Sequence, residues 1–427
     1  MITLMEHQIK ALELTKDRKR VAYILSMGLG KTYVGSEKMK DLGNRLNVLI
    51  CQKSKIKDWK DHFGEHYPDW LVVDYTANKH LSIDDIKAYS QHGTVVIIIN
   101  YELTWRRKEL TTLSNFTLML DESSLIQNDK AKQTKFIMSL NVAAVILLSG
   151  TPCSGKYENL WSQARLLGWD IKKSVYEETY INFDTVQLNQ RWLRLVSKKH
   201  PYKNIERLKS KLREHGAVFM LSEDVLTLPE QNFIDVKVEK SSDYKIFMKD
   251  NIVYLDDGPL VGDTTLTKLL YARMLCSMFS MNKLEAFEDL LKSTGERLIV
   301  FYNFKGELEA LRAIVEEIRG EGKVSVVSGS EKDLTAYENE VDSVTLVQYQ
   351  AGAMGLNLQK ANKIIYYSPT LRSDLFEQSK KRIHRIGQSR PCFYYRLIVK
   401  GSVEEQIYRT LEKREDYTTN LFLEGEG

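Results

Sequence analysis

Runs of consecutive apolar, β-favouring residues recur through the first 150 residues: Val21–Leu25, Asn47–Cys51, Leu71–Tyr75, Thr94–Asn100, Phe116–Leu120 and Ala143–Ser149. Charged segments of helical texture separate them. A strand that is apolar on every residue, not on alternate ones, needs cover on both faces. Sheets of such strands are parallel and lie between layers of helices. The pattern predicts an α/β fold. Several runs end in Gly, Ser, Asp or Asn, and in such folds ligands bind beyond the carboxyl ends of the strands.

The pattern returns near Arg297, with strands expected at Leu298–Tyr302, Lys323–Val327, Val344–Gln348, Lys363–Tyr367 and Phe393–Val399. Helices are expected over Gly306–Ile318 and Leu375–Ile386. Between the two patterns, Asn159–Leu167 and Asn204–His215 read as amphipathic helices. Ile205, Leu208 and Leu212 form the apolar stripe of the second and Gly216 its C-cap; Lys203, Arg207, Lys209, Lys211 and Arg213 read as a solvated face in preference to a DNA contact. The expected organisation is a first lobe over 1–238 with a helical insertion at about 157–225. The second lobe covers 239–427, with a helical segment at about 241–291 and a C-terminal brace at 400–427. Two similar α/β lobes imply a cleft.

The four cysteines, Cys51, Cys153, Cys276 and Cys392, form no C-x-x-C pair, so neither zinc nor a disulfide framework is expected. They read as buried thiols of a reduced, intracellular protein. The longest apolar runs, Val95–Ile99 and Val142–Leu148, fall far short of the roughly 20 residues that cross a bilayer. The net charge of +4 says little by itself about polyanion binding.

The first strand runs straight into Ser26–Thr32, SMGLGKT, and then a helical segment. Gly28 and Gly30, with Met27 and Leu29 between and beside them, let backbone amides close around phosphate oxygens. Lys31 brings a cation to the β- and γ-phosphates, and Thr32 a hydroxyl to Mg²⁺. Leu25 stands where the strict P-loop pattern has Gly. LMLDESS places Asp121 and Glu122 at the end of a buried strand. Alone, this reads as a helix-capping turn; downstream of a P-loop, Asp121 reads as the metal ligand and Glu122 as the base for the attacking water. Gln8, on an N-terminal helix, either pairs with the adenine edge or is an exposed helix residue. Farther on, Arg382 and Arg385 are three apart within EQSKKRIHRIGQ, which puts them on one helical face.

These blocks, in this order, resemble the Swi/Snf-type ATPases of helicase superfamily two, over nearly the whole chain. MGLGKT, DES, LLSGTP (Leu147–Pro152), AGAMGLNL (Ala351–Leu358) and RIHRIGQ (Arg382–Gln388) look like the family's sequential motifs. HRIGQ followed by YYRLIVKGSVEEQI is the most specific. The resemblance implies two RecA-like P-loop lobes, with ATP and Mg²⁺ held by Gln8, Met27, Gly28, Leu29, Gly30, Lys31, Thr32, Asp121 and Glu122. Arg382 and Arg385 would complete the site from the opposite lobe. It also implies that Ser149, Gly150, Thr151 and Gln378 couple nucleotide state to movement. Lys53, Ser54, Asn100, Tyr101, Gln350 and Gly352 would meet nucleic acid. For Tyr101 and Trp59 core packing is an equal reading.

The expected function is an ATP-driven motor translocating on double-stranded DNA. The alternatives are a strand-separating DNA or RNA helicase, or an ATP-gated nucleic-acid clamp with little turnover. Only about 20 residues follow GSVEEQI, so a compact prokaryotic or viral motor is expected rather than a nucleosome remodeller. Departures from the family fall on the nucleic-acid side: Ser124 stands where DEAH has His, Gln348-Tyr349-Gln350 where Ser-Thr-Arg is usual, and Gln52 where Pro is usual.

Overall fold

The computed structural model describes residues 2–77, 81–188, 191–256, 258–352 and 356–422. Among these, residues up to 225 together with those from 416 onward form one compact unit, and residues 226–415 another. In the first, α1 (Glu6–Glu13) leads to β1 (Arg20–Leu25), α2 (Lys31–Leu42), β2 (Leu46–Cys51), α3 (Ile56–His66), β3 (Leu71–Asp74), β4 (Val95–Asn100), β5 (Ser114–Asp121) and β6 (Asn141–Ser149). Every residue of β2 and β4 is buried, as full cover on both faces requires. The sheet is parallel in the order β3-β4-β2-β5-β6-β1, with one further strand beside β1.

Its last member corrects the expected helical insertion. Residues 157–225 contain the helices Trp161–Leu166, Lys173–Tyr180 and Ile205–Glu214. They also contain an antiparallel hairpin, β7 (Phe183–Leu188) with β8 (Arg191–Val196), and β9 (Ala217–Met220), which pairs in parallel with β1. The hairpin lacks a tight-turn signal such as Asn-Gly, and β9 is only four residues long, so neither stood out from the helical texture around it. On the helix Ile205–Glu214, Leu208 and Leu212 are buried as expected. Lys209 is buried too, paired with Glu206 at 2.7 Å, so the basic face is not wholly solvated.

The second unit begins with β10 (Gln231–Val238). The small hairpin β11 (Ile252–Leu255) and β12 (Gly258–Val261) follows, then β13 (Leu298–Tyr302), β14 (Val324–Val327), β15 (Lys332–Asp333), β16 (Val344–Gln348), β17 (Lys363–Tyr366) and β18 (Cys392–Val399). Its sheet order is β10-β18-β17-β13-β16-β14-β15, parallel except at β15. The boundary expected after residue 238 therefore falls earlier. β10 pairs residue for residue with β18, from Gln231 opposite Cys392 to Val238 opposite Val399.

The expected brace is the helix Val403–Phe422, with Ile407, Tyr408 and Leu411 in the core of this unit. Near its start, Glu404 forms a fully buried ion pair with Lys283 of the helix Met281–Lys292, at 2.6 and 2.8 Å. Glu404 also accepts from the amide of Val399 at the end of β18.

Candidate nucleotide site and its neighbours

Strand order gathers the motifs of the first unit. In the register, Ile24 of β1 lies opposite Ser149 of β6, and Leu148 of β6 opposite Asp121 of β5. The P-loop, the Ser149–Pro152 turn and the Asp121–Glu122 turn thus leave adjacent strands at one carboxyl edge. The ends of β2 and β4, carrying Lys53–Ser54 and Asn100–Tyr101, continue the row.

The loop is wrapped for an anion. Gly28 and Gly30 have φ of +89° and +72°, and Gly30 caps α2 in the left-handed region. A Cβ on Gly30 would stand 2.2 Å from Gln8 Nε2 and push that amide away, and the positive φ strains any other residue there. One turn later, a Cβ on Gly35 would meet Leu148 Cδ1 at 2.8 Å. Glycine there lets α2 lie directly on the sheet, aiming its N-terminus at the loop. The Lys31 ammonium donates to the carbonyls of Leu25 and Ser26 at 3.0 and 3.5 Å. Gly150 approaches it so closely that an added Cβ would lie 3.4 Å from Lys31 Nζ. Thr32 follows in the first turn of α2, half-buried.

Gln8 is buried, not an exposed helix residue. Its Oε1 accepts from the amide of Met5 and its Nε2 donates to Leu29 O at 3.1 Å; the ring of His7 meets the same carbonyl. α1 is therefore bonded to the tip of the P-loop.

Asp121 is held by a residue that sequence reasoning left between core and nucleic acid. Trp59, itself buried, donates its indole N–H to Asp121 Oδ2 at 2.8 Å. Burial raises the Asp121 carboxyl above the ordinary aspartate value, against the lowering effects of that hydrogen bond and of the Lys31 and Lys55 charges. Glu122 adopts φ +56°, ψ +60°, a conformation that costs a non-glycine residue roughly 1–3 kcal/mol and collects at functional sites. The Tyr101 hydroxyl fixes this turn by donating to Asp121 O (2.9 Å) and reaching Glu122 O (3.4 Å). Glu122 precedes a short 3-10 turn without a side-chain capping bond, so the capping reading of DES is not the one found.

Gln163 was missed altogether. Buried on the helix Trp161–Leu166, it accepts from Ser123 Oγ at 2.9 Å and donates to Pro152 O at 2.6 Å. One amide thus joins the DES turn to the SGTP turn. A glutamine on a helix carries no sequence signal for such a bridge; only the tertiary fold creates it.

The expected nucleic-acid residues divide. Lys53, Ser54 and Gln350 are exposed. Asn100 and Tyr101 are buried, with Asn100 bonded to Glu102 and Thr76, so their side chains offer no surface to a strand as was expected of them. Gly352 is corrected likewise: it is buried, and a Cβ there would meet Val347 at 2.8 Å and Phe301 at 2.9 Å. Its role is close packing. Residues 353–355 of the AGAMGLNL stretch lie outside the described residues.

In the second unit, taken by itself, the helix expected to reach Ile386 ends at Lys380. Arg382 and Arg385 therefore do not share a helical face. The carbonyl of Arg382 accepts from the Leu358 amide, and that of Ile383 from Gln388 Nε2, which also donates to Gln359 and Ala361. Acceptors that would have continued the helix are spent on neighbouring segments. The motif becomes a turn locked by Gln388. Arg382 is buried and bonded to Leu356 O; Arg385 bonds to the Asn357 side chain, and burial lowers its pKa. Gln378 is buried in the preceding helix.

The edge-gathered glycine loop, lysine and acidic turn define a P-loop nucleotide-binding unit, joined in one chain to a second parallel-sheet α/β unit. Two family models match, the SNF2-related domain over residues 7–271 and the helicase conserved C-terminal domain over residues 282–387. The chain belongs to the SNF2 family of helicase superfamily two. It is 25% identical to the putative ATP-dependent helicase/translocase YwqA of Bacillus subtilis, over 91% of this chain and 45% of that protein. It is 24% identical to the mouse SWI/SNF-related matrix-associated actin-dependent regulator of chromatin subfamily A member 1, over 90% and 40% respectively. The chain thus spans less than half the length of these relatives. A solved structure, the Sulfolobus solfataricus SWI2/SNF2 ATPase core in complex with dsDNA, aligns over 98% of this chain and 92% of that one, with 20% identity and a TM-score of 0.45. Among the described residues no helix is long and apolar enough to cross a membrane.

Proposed function

We propose that this chain is an ATP-hydrolysing motor, stimulated by nucleic acid, that translocates on double-stranded DNA. The observation that carries this reading is the alignment of P-loop, DES turn and SGTP turn on adjacent strands, with Lys31 against Gly150 and Gln163 bridging the two turns. A γ-phosphate would replace the Leu25 and Ser26 carbonyls as the partner of Lys31. Its loss on hydrolysis would then be felt directly by the Ser149–Thr151 turn.

The donor set suits Mg²⁺. Asp121 is a carboxylate whose charged form burial disfavours, and Thr32 offers a hard hydroxyl oxygen; a cation would repay that desolvation. Thr32 and Asp121 would hold the ion, and when bound it supplies charge neutralisation at the phosphates. Glu122, set by its strained backbone, takes the proton of the attacking water. Arg382 and Arg385 quench charge on the transferred phosphoryl group; a partly desolvated guanidinium such as Arg385 gains when an anion reaches it. Exposed Lys53, Ser54 and Gln350 grip the phosphate backbone without reading bases, as a motor that must pass any sequence requires.

The test is phosphate release with duplex DNA, single-stranded DNA and RNA, for wild type, Lys31→Ala and Arg385→Ala. Duplex DNA should stimulate most, and Arg385→Ala should lose about 10³-fold or more of the stimulated rate. Undiminished stimulated turnover in either variant would overturn the assignment.

A further inference from the structure

The β7–β8 hairpin takes no part in the nucleotide site, yet it is firmly rooted. At its base Ile181 bridges Tyr202, Asn182 and Pro201 share a backbone hydrogen bond, and the Tyr202 ring stacks on Tyr157 with centroids 4.4 Å apart. Beyond the base, residues 184–187 and 192–195 are all exposed, on both faces of the ribbon. A lone two-stranded ribbon gains little from its own pairing in water, so apolar side chains left open on it call for an occupant.

The register identifies the chemistry of each face. Gln187 lies opposite Trp192, Thr185 opposite Arg194 and Phe183 opposite Val196, which puts these six on one side. Trp192 is 68% exposed, and the Arg194 guanidinium lies 3.9 Å over the Phe183 ring. The other face carries Val186, Leu193 and Leu195, all exposed. From Asn182 to Lys203 the sequence has five cations (Arg191, Arg194, Lys198, Lys199, Lys203) against one carboxylate, Asp184. An open indole beside a guanidinium, amide and hydroxyl, within so positive a segment, matches a platform for unpaired bases and their phosphates. A protein partner would find the apolar face but would have to be strongly acidic as well. Duplex DNA offers phosphates but keeps its base faces stacked; a junction where strands part offers both. Apolar side chains on a thin ribbon also suit insertion between bases.

We propose that the β7–β8 arm is a second nucleic-acid contact, in which Trp192 stacks on an unpaired base at a junction of double- and single-stranded DNA while Arg194, Lys198 and Lys199 hold the flanking phosphates. The proposal rests on the nucleic-acid reading above and narrows its substrate to branched or frayed DNA.

The experiment is fluorescence anisotropy of the full chain with a labelled forked DNA and a blunt duplex of equal length. Trp192→Ala weakens fork binding by about fivefold to a hundredfold, the range for one lost base stack, and blunt-duplex binding less than about twofold. Trp192→Phe retains most of the affinity, and Arg194→Gln with Lys198→Gln flattens the salt dependence on the fork. An unchanged melting temperature is expected, because the side chain is exposed. Wild-type affinity of Trp192→Ala for the fork would overturn the proposal and leave the arm to a protein partner. Equal losses on fork and duplex, or a Trp192→Phe variant as weak as Trp192→Ala, would overturn it too. A wild-type chain that binds neither DNA would instead overturn the nucleic-acid reading itself, and this proposal with it.

Discussion

Trp59 shows how a single side chain can serve both packing and chemistry. Its ring is buried beside Phe63, while its N–H is spent on Asp121, the carboxylate at the end of β5 that we propose as a ligand for Mg²⁺. Trp59→Phe keeps the apolar ring and removes the donor. We expect the variant to fold and to need more Mg²⁺ for half-maximal ATP hydrolysis, measured by titrating Mg²⁺ at saturating ATP. Tyr101→Phe removes the hydroxyl that pins the Asp121 and Glu122 carbonyls. With the left-handed Glu122 no longer held, kcat should fall more than KM rises, at a stability cost of about 1 kcal/mol. His62 gives a pH signature. It is hydrogen-bonded to Ser36 of α2, and burial, reinforced by the nearby His66, lowers its pKa to about 4 from 6.5. A folded pKa below the unfolded one means that the unfolded chain takes up the proton first. The stabilisation is thus present above pH 6.5 and is lost as pH falls toward 4. Urea unfolding across that range should show the decline, and His62→Gln should flatten it.

At the scale of elements, the buried ion pair between Lys283 and Glu404 fastens the helix Val403–Phe422 to the helix Met281–Lys292. Lys283→Met should cost about 3–5 kcal/mol, because it leaves a carboxylate buried without its counter-charge. Chemical denaturation checks it. The segment GSVEEQI, distinctive in sequence, is thus explained in part by anchoring. The strands were legible because full burial writes itself as unbroken apolar runs: all six expected in the first 150 residues are present within two residues at either end. The P-loop and DES turn were legible because their chemistry demands particular residue types in a fixed order. What escaped notice depends on tertiary partners. Gln163 acts through Ser123 and Pro152, the Arg382–Arg385 helix is ended by Gln388 and Leu358, and β9 is a strand only because β1 offers it an edge. Asn100, Tyr101 and Gly352 had been assigned to a ligand-facing surface, which the packing denies them.

For the whole molecule, two sheets with separate cores predict unfolding that departs from a single transition. Lys283→Met should lower the transition of residues 226–415 alone. A non-hydrolysable ATP analogue at about 100 times its Kd should raise that of residues 1–225 by about 2.7 kcal/mol, read by hydrogen exchange in the two segments. The position of β10 has a practical corollary for anyone who would express the halves separately. Cutting after residue 238, where the texture of the chain invites it, would strip β18 of its neighbour. The backbone of Tyr394, Arg396 and Ile398 would become a sticky rim on which further copies could polymerise. Cutting after Val225 leaves that rim sealed.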